Sequence, residues 1–359
     1  MIDNVAQRKL GRIGITVPAV GVGCWAIGGP ADNLGMPMGW STADDSASAA
    51  GLRKAYELGA RLFDTADVYG LGRSERLLGG LISEVPRGGL TLTSKVGYFA
   101  GTAEHGYHPG HMTRQLHQSL DNLRTDYLDI YFLHHPDFGP DDQWLEGAVE
   151  AMTSFRSQGL IRAVGMRGPH RYAPDRLHPT ADKADKAARF RRIFDLVKPE
   201  ILAVRDNLLT PASRLDGILE LAADHGCGIL FNKPLSQGLL TAATATGRER
   251  TFGPGDHRSR KRWFTPEPVA VIGKAIRDLQ QVIGDEPTYL TAVALWACLT
   301  RFDNAAVLAG FTNPDQVEQN LAALRIRPDD AHIAAARTIM SGVQRQLDDT
   351  GEVFVDEHR

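Results

Sequence analysis

The feature that most constrains this chain is an alternation that runs almost its whole length. Short apolar runs that read as buried strands end at 24, 64, 95, 133, 164, 204, 231 and 308, and a segment of helical period follows each of them. The expected helices lie at 42–58, from Ser74 as N-cap, at 113–123, 143–157, 191–197, 211–224, 266–283 and 287–301, and from Pro314 onward. Eight strands with helices between them are the pattern of an α/β chain closed into a (β/α)₈ TIM barrel. Residues 1–18 add an N-terminal β-hairpin turning near Gly11 and Gly14, and 328–359 read as a C-terminal helical tail. Long loops are expected at the C-terminal face, with insertions at 97–111, 170–186 and 241–265. No linker-like tract or composition shift divides the 359 residues, so they read as one domain.

Composition narrows the function classes. Hydrophobic residues make up 43% and the formal net charge is −3, which gives no general electrostatic reason to bind nucleic acid or anionic lipid. The expected partner is a small molecule, with the protein a monomer or homo-oligomer. Three cysteines far apart (Cys24, Cys227, Cys298) show no metal spacing and suggest a reducing compartment. The polar N-terminus and the lack of an apolar run long enough for a bilayer point to the cytoplasm.

Function gathers at strand ends. Asp64 closes the second run, Tyr69 lies on the loop after it, Lys95 closes the third run and His134 the fourth. Parallel neighbouring strands would bring all four to one rim, where barrels keep their chemistry. A phenol titrates near pH 10, and an adjacent ammonium favours the phenolate, which makes the phenol a better proton donor. Lys95 is that ammonium, Asp64 its anchor, and His134 a neutral donor to a substrate oxygen.

These residues sit in FDTADVYG, in the Thr-Ser-Lys of TSKVG and in DYLDIYFLHHPD, with PLSQGLLT and AGFTNPDQVEQN further on. In this ordered set the chain resembles the aldo-keto reductases from Lys9 to Asn320. The resemblance implies an oxidoreductase that moves a hydride between a nicotinamide dinucleotide and a carbonyl or alcohol carbon of an aldehyde, ketone or sugar. It also implies the same four roles for Asp64, Tyr69, Lys95 and His134, with the tyrosine as general acid.

No GxGxxG follows the first strand, so a Rossmann cradle is disfavoured. The resemblance instead wraps the pyrophosphate in Pro234, Leu235, Gln237, Gly238 and Leu239. It sets the adenosine end against Gly310, Phe311, Thr312, Gln316, Gln319 and Asn320 at a helix N-terminus. Gly23, Cys24, Trp25, Asp64, Arg167 and Asn232 complete the expected cofactor side. Several positions depart from the family pattern, Ala203 and Gln319 among them. Arg167 and Gly168 stand where Ser-Asn usually grips the carboxamide, Asn232 replaces a stacking aromatic, and Gln316 replaces an arginine. The family favours NADP(H), with NAD(H) open.

Other features carry less. His105, His108 and His111 suggest a metal, but Gly106, Pro109 and Gly110 break any rigid face, and no metal is expected. They read as a loop near the mouth. The basic, aromatic stretch 256–264 fits a loop over the site, and Trp25 and Trp40 fit pocket walls. Two alternatives remain: a regulatory, redox-sensing nucleotide-binding barrel, and an isomerase or dehydratase that recycles its nucleotide.

Overall fold

The computed structural model describes residues 7–33, 35–169 and 182–349. The hairpin pairs β1 (Gln7–Leu10) with β2 (Ile15–Pro18), Leu10 opposite Ile15. The first barrel strand, β3, spans Val20–Gly23. A two-stranded ribbon, β4 (Asp32–Asn33) and β5 (Met36–Pro37), then forms within what the sequence presents as a plain loop. The remaining barrel strands are β6 (Leu62–Asp64), β7 (Thr91–Val96), β8 (Leu128–Leu133), β9 (Ile161–Arg167), β10 (Ile201–Arg205), β11 (Gly228–Asn232) and β12 (Ala305–Gly310). They close in the order β3-β6-β7-β8-β9-β10-β11-β12, with every neighbouring pair parallel. This is the (β/α)₈ barrel that the alternation predicts.

Most strand positions are apolar because the strands are covered on both sides, and polar exceptions such as Thr93, Ser94, Lys95 and Asp129 are buried with hydrogen-bond partners. Every residue of β7 and β8 is buried. Leu62, Ile130, Phe132, Ala163, Ile201, Leu230 and Ala306 fill the barrel interior, and Leu10 and Val17 of the hairpin cap its floor. Gly11 is required there: at φ +60°, an added Cβ would lie 2.6 Å from the Glu200 carbonyl oxygen. A second core joins the Pro266–Ile283 and Pro287–Leu299 helices to the tail helix Asp330–Asp348 through Ile272, Ile276, Val293, Met340 and Val343.

Several helix starts differ from the sequence expectation. The helix expected from Ser74 begins at Arg73, and Gly72, at φ +84°, takes the cap position. Ser74 is buried inside the first turn. Its hydroxyl donates to the Cys24 carbonyl at 2.7 Å and shares a 2.9 Å bond with Thr65, tying the helix to β3 and β6. The next helix is Pro109–Leu123, one turn longer than the pattern suggests, because Pro109 at its start needs no N–H partner. The helix expected from Pro211 begins at Asp216, after a short 3₁₀ turn at Ala212–Arg214. Most of the 170–186 insertion, and residues 350–359 of the tail, fall outside the described residues. Among those described, no helix is long and apolar enough to cross a membrane.

Candidate active site

The register of the parallel strands fixes the rim. Asp64 lies opposite Thr93, and Lys95 opposite Phe132, so the ends of β6, β7 and β8 open together. The Lys95 ammonium donates to both Asp64 carboxylate oxygens at 2.7 Å and to the Thr65 carbonyl at 2.6 Å. Thr93 also donates to Asp64, so the acid is held from two sides. Lysine and acid are each 5% exposed.

Tyr69 sits on the loop after β6. Gly28 presses its backbone against that loop, and a Cβ there would lie 2.8 Å from the Tyr69 carbonyl carbon, so only glycine lets the two segments meet. Lys95 Nζ is 4.9 Å from the centroid of the Tyr69 ring. Burial raises the phenol's pKa above its ordinary value, and the Lys95 charge pulls against it without prevailing. The expectation that Lys95 makes the phenol a stronger acid therefore holds for the direction of the lysine's effect and not for the net value. Burial is the largest single influence and disfavours the Lys95 charge, but Asp64 and Tyr69 together outweigh it, and the ammonium ends above its usual range.

His134 follows β8, with its backbone N–H on the Val96 carbonyl at 2.9 Å. Its ring meets Tyr69 edge-on at 5.8 Å and Tyr98 edge-on at 4.7 Å. The four expected catalytic side chains thus line one cleft of about 1170 Å³.

Most of the expected cofactor residues line the same cleft: Gly23, Trp25, Arg167, Asn232, Pro234, Leu235, Gln237, Gly238, Gly310, Phe311, Thr312, Gln316, Gln319 and Asn320. Cys24 and Leu239 do not. Cys24 follows Gly23 in an extended chain, where alternate side chains face opposite ways. Its thiol is fully buried outside the barrel, and burial raises its pKa. Leu239 packs in the second core. At the other end, Asn313 Oδ1 caps the Pro314–Leu324 helix by accepting from Gln316 N, and Gln316 Oε1 accepts from Thr312 N at 2.8 Å. Asn320 donates to the Gly310 carbonyl at 3.1 Å, and Gln319 to the Thr291 hydroxyl at 3.3 Å.

The histidine loop has a packing role. His105 and His108 lie against Trp144, His111 bonds the Phe99 carbonyl, and none of the three lines the cleft. No metal-holding group occurs among the described residues. His135, next to the site, has a pKa lowered to about 4, chiefly by burial. Its neutral ring accepts from Asp137 N at Nδ1 and lies 2.8 Å from the Gly97 carbonyl at Nε2. Because its folded pKa lies below the unfolded value of 6.5, stability present above pH 6.5 is lost as pH falls toward 4. The unfolding free energy from urea titrations should therefore drop between pH 7 and pH 5 by about 1 kcal/mol, roughly half the full linkage value because the ring is partly exposed. In His135→Gln that slope should flatten, and an unchanged slope would remove His135 as its cause.

Two cleft residues carry no signal in the strand-end pattern. Tyr98, three residues past Lys95, accepts at its hydroxyl from Arg167 Nη1 at 3.1 Å. His257 comes from the 241–265 insertion, which forms a strap across the mouth. The Gly255 carbonyl accepts from Ala31 N and Gly39 N, and His257 N donates to the Gly39 carbonyl. Asp256, fully buried, accepts from Ser41 and pairs with Arg258.

Comparison with known proteins agrees with this geometry. The sequence profile described as Aldo/keto reductase family matches residues 19–340. The chain is 27% identical over 349 residues to the NADH-specific methylglyoxal reductase of Escherichia coli (strain K12), covering 94% of this chain and 98% of the relative. It is 28% identical over 330 residues to the L-galactose dehydrogenase of Arabidopsis thaliana, covering 90% and 89%. Its fold is similar to that of the glycerol dehydrogenase of Gluconobacter oxydans, with a TM-score of 0.71, 24% identity, and coverage of 94% and 95%.

Proposed function

The chain belongs to the aldo/keto reductase family, and from that premise we propose that it reduces a carbonyl, or in reverse oxidises an alcohol, with Tyr69 as the proton donor. The observation that carries this reading is the Lys95 ammonium, chelated by Asp64 and set 4.9 Å from the Tyr69 ring in the large cleft.

The cleft suits a dinucleotide. Gln237 Nε2 is buried without a partner among the described residues, on the loop where the family holds the pyrophosphate, so a donor waits there for an acceptor. Gly23, Trp25, Arg167 and Asn232 would enclose the nicotinamide end, and Thr312, Gln316, Gln319 and Asn320 the adenosine end. A reduced nicotinamide supplies the hydride when bound. Tyr69 gives its hydroxyl proton to the carbonyl oxygen as negative charge builds there, and His134 donates a second hydrogen bond to the same oxygen. Lys95 stabilises the tyrosinate left behind, and Asp64 keeps Lys95 charged and in place. In oxidation the tyrosinate takes the alcohol proton. Purified protein should consume reduced dinucleotide with short aldehydes such as methylglyoxal. Absence of turnover across a broad carbonyl panel would defeat the reading.

The family preference for NADP(H) does not suit the adenosine end here. Its polar groups are hydroxyls and amides, and Gln316 is already used to cap Thr312. A ribose phosphate gains no charge-assisted bond from such groups. We infer that NAD(H) is used at least as well as NADP(H), which accords with the NADH-specific relative. Gln316→Arg should shift the NADPH-to-NADH ratio of kcat/KM upward by roughly tenfold. A wild-type ratio already far in favour of NADPH would overturn the inference.

A further inference from the structure

We propose that the cleft contains a built oxyanion subsite, formed by Arg167 and the Nε2–H of His257 beside Trp25, and that the preferred carbonyl substrates therefore carry a carboxylate or phosphate. The inference rests on the carbonyl-reducing function above and narrows its substrate class.

His257 is 5% exposed and lines the cleft. Its ring packs against Trp25 at 4.6 Å, and Trp25 stacks on Tyr69 at 6.0 Å, so the histidine lies one indole away from the proton donor. Arg260 lies 3.3 Å from His257 Nδ1. A guanidinium can only donate, so Nδ1 is the acceptor and the ring proton sits on Nε2. That Nε2 has no partner among the described residues. Burial first, then the charges of Lys261, Lys233, Arg260 and Arg167, hold the ring neutral well below its usual range, so the tautomer persists at neutral pH.

Arg167 supplies the charge. It stands on the end of β9, and its guanidinium is aimed by the Tyr98 hydroxyl. No carboxylate pairs with it among the described residues, and its charge reaches both Tyr69 and His257. Lys233 adds a third observation. It adopts φ +58°, a left-handed conformation that a lysine rarely takes, and its Nζ lies 5.0 Å from the Trp25 ring. A buried donor without an acceptor and a guanidinium without a carboxylate partner, both among the described residues, line the same cleft, and an oxyanion would satisfy both. The position favours the substrate over the pyrophosphate as its source, because His257 packs on Trp25 and Trp25 stacks on the proton donor Tyr69.

The test compares para-formylbenzoate with its neutral analogue para-formylbenzamide at saturating NADH. The expected kcat/KM ratio is tenfold or more in favour of the acid, falling toward one in Arg167→Met and His257→Phe. Using the ratio cancels losses in folding or in dinucleotide binding. Benzoate is titrated calorimetrically into the dinucleotide-loaded protein in parallel, with binding expected for the wild type and weakened in both variants. If neither aldehyde is reduced, the carbonyl-reductase function fails while benzoate binding still decides the subsite. Two outcomes overturn the proposal. One is a wild-type ratio near one with no benzoate binding. The other is a pair of variants that weaken only NADH binding, which would assign these groups to the pyrophosphate.

Discussion

Replacing Tyr69 with phenylalanine will lower kcat by roughly a thousandfold, within the usual reach of a positioned general acid, and will leave the affinity for dinucleotide within a few-fold of wild type. The substitution removes one oxygen. The ring stays stacked on Trp25 and edge-on to His134, so the walls of the cleft are kept. Binding is read by fluorescence titration with NADH and turnover by its absorbance. Turnover retained within tenfold would show that the proton comes from elsewhere. Loss of NADH binding together with turnover would show that the ring, not the hydroxyl, is what matters.

Lys95→Met should have the largest combined effect, because it removes an ammonium from a buried pair. Asp64 would keep Thr93 as a donor but lose its only charged partner among the described residues. Removing one member of a buried ion pair typically costs about 3–5 kcal/mol, since the remaining charge is left uncompensated. The urea midpoint should fall accordingly, and turnover should fall at least as far as in Tyr69→Phe. A second substitution separates the two losses. In Lys95→Met with Asp64→Leu no charge is buried, so much of the stability should return while turnover stays absent. Recovery of activity in the double variant would mean that Lys95 serves only to neutralise Asp64.

The clustering of the four proposed catalytic side chains was legible in the sequence for a simple reason. Asp64, Lys95 and His134 each stand at the C-terminal end of a buried strand, and parallel neighbouring strands can only send such ends to a common rim. Tyr69 follows five residues after Asp64 on a loop pinned by Gly28. Cys24 and Leu239 were drawn in by their neighbours. Gly23 and Trp25 line the cleft, and the two-residue period of extended chain turns Cys24 the other way. Ser74 has the composition of a cap, but a hydroxyl in a first turn also serves a buried tertiary contact, and here Gly72 ends the loop instead. His257 was beyond reach of local pattern. Its place depends on Asp256 meeting Ser41, 215 residues away in the chain, and no periodicity encodes that pairing.

The central claim, hydride transfer to a substrate carbon at this rim, is tested most directly with NADH deuterated at the transferable position. After incubation with wild-type protein and an aldehyde, the alcohol is examined by mass spectrometry. The prediction is one deuterium on the carbinol carbon, delivered from a single face of the nicotinamide, and none in the Tyr69→Phe sample over the same interval. Product formed without deuterium, or dinucleotide oxidised without any alcohol, would contradict it.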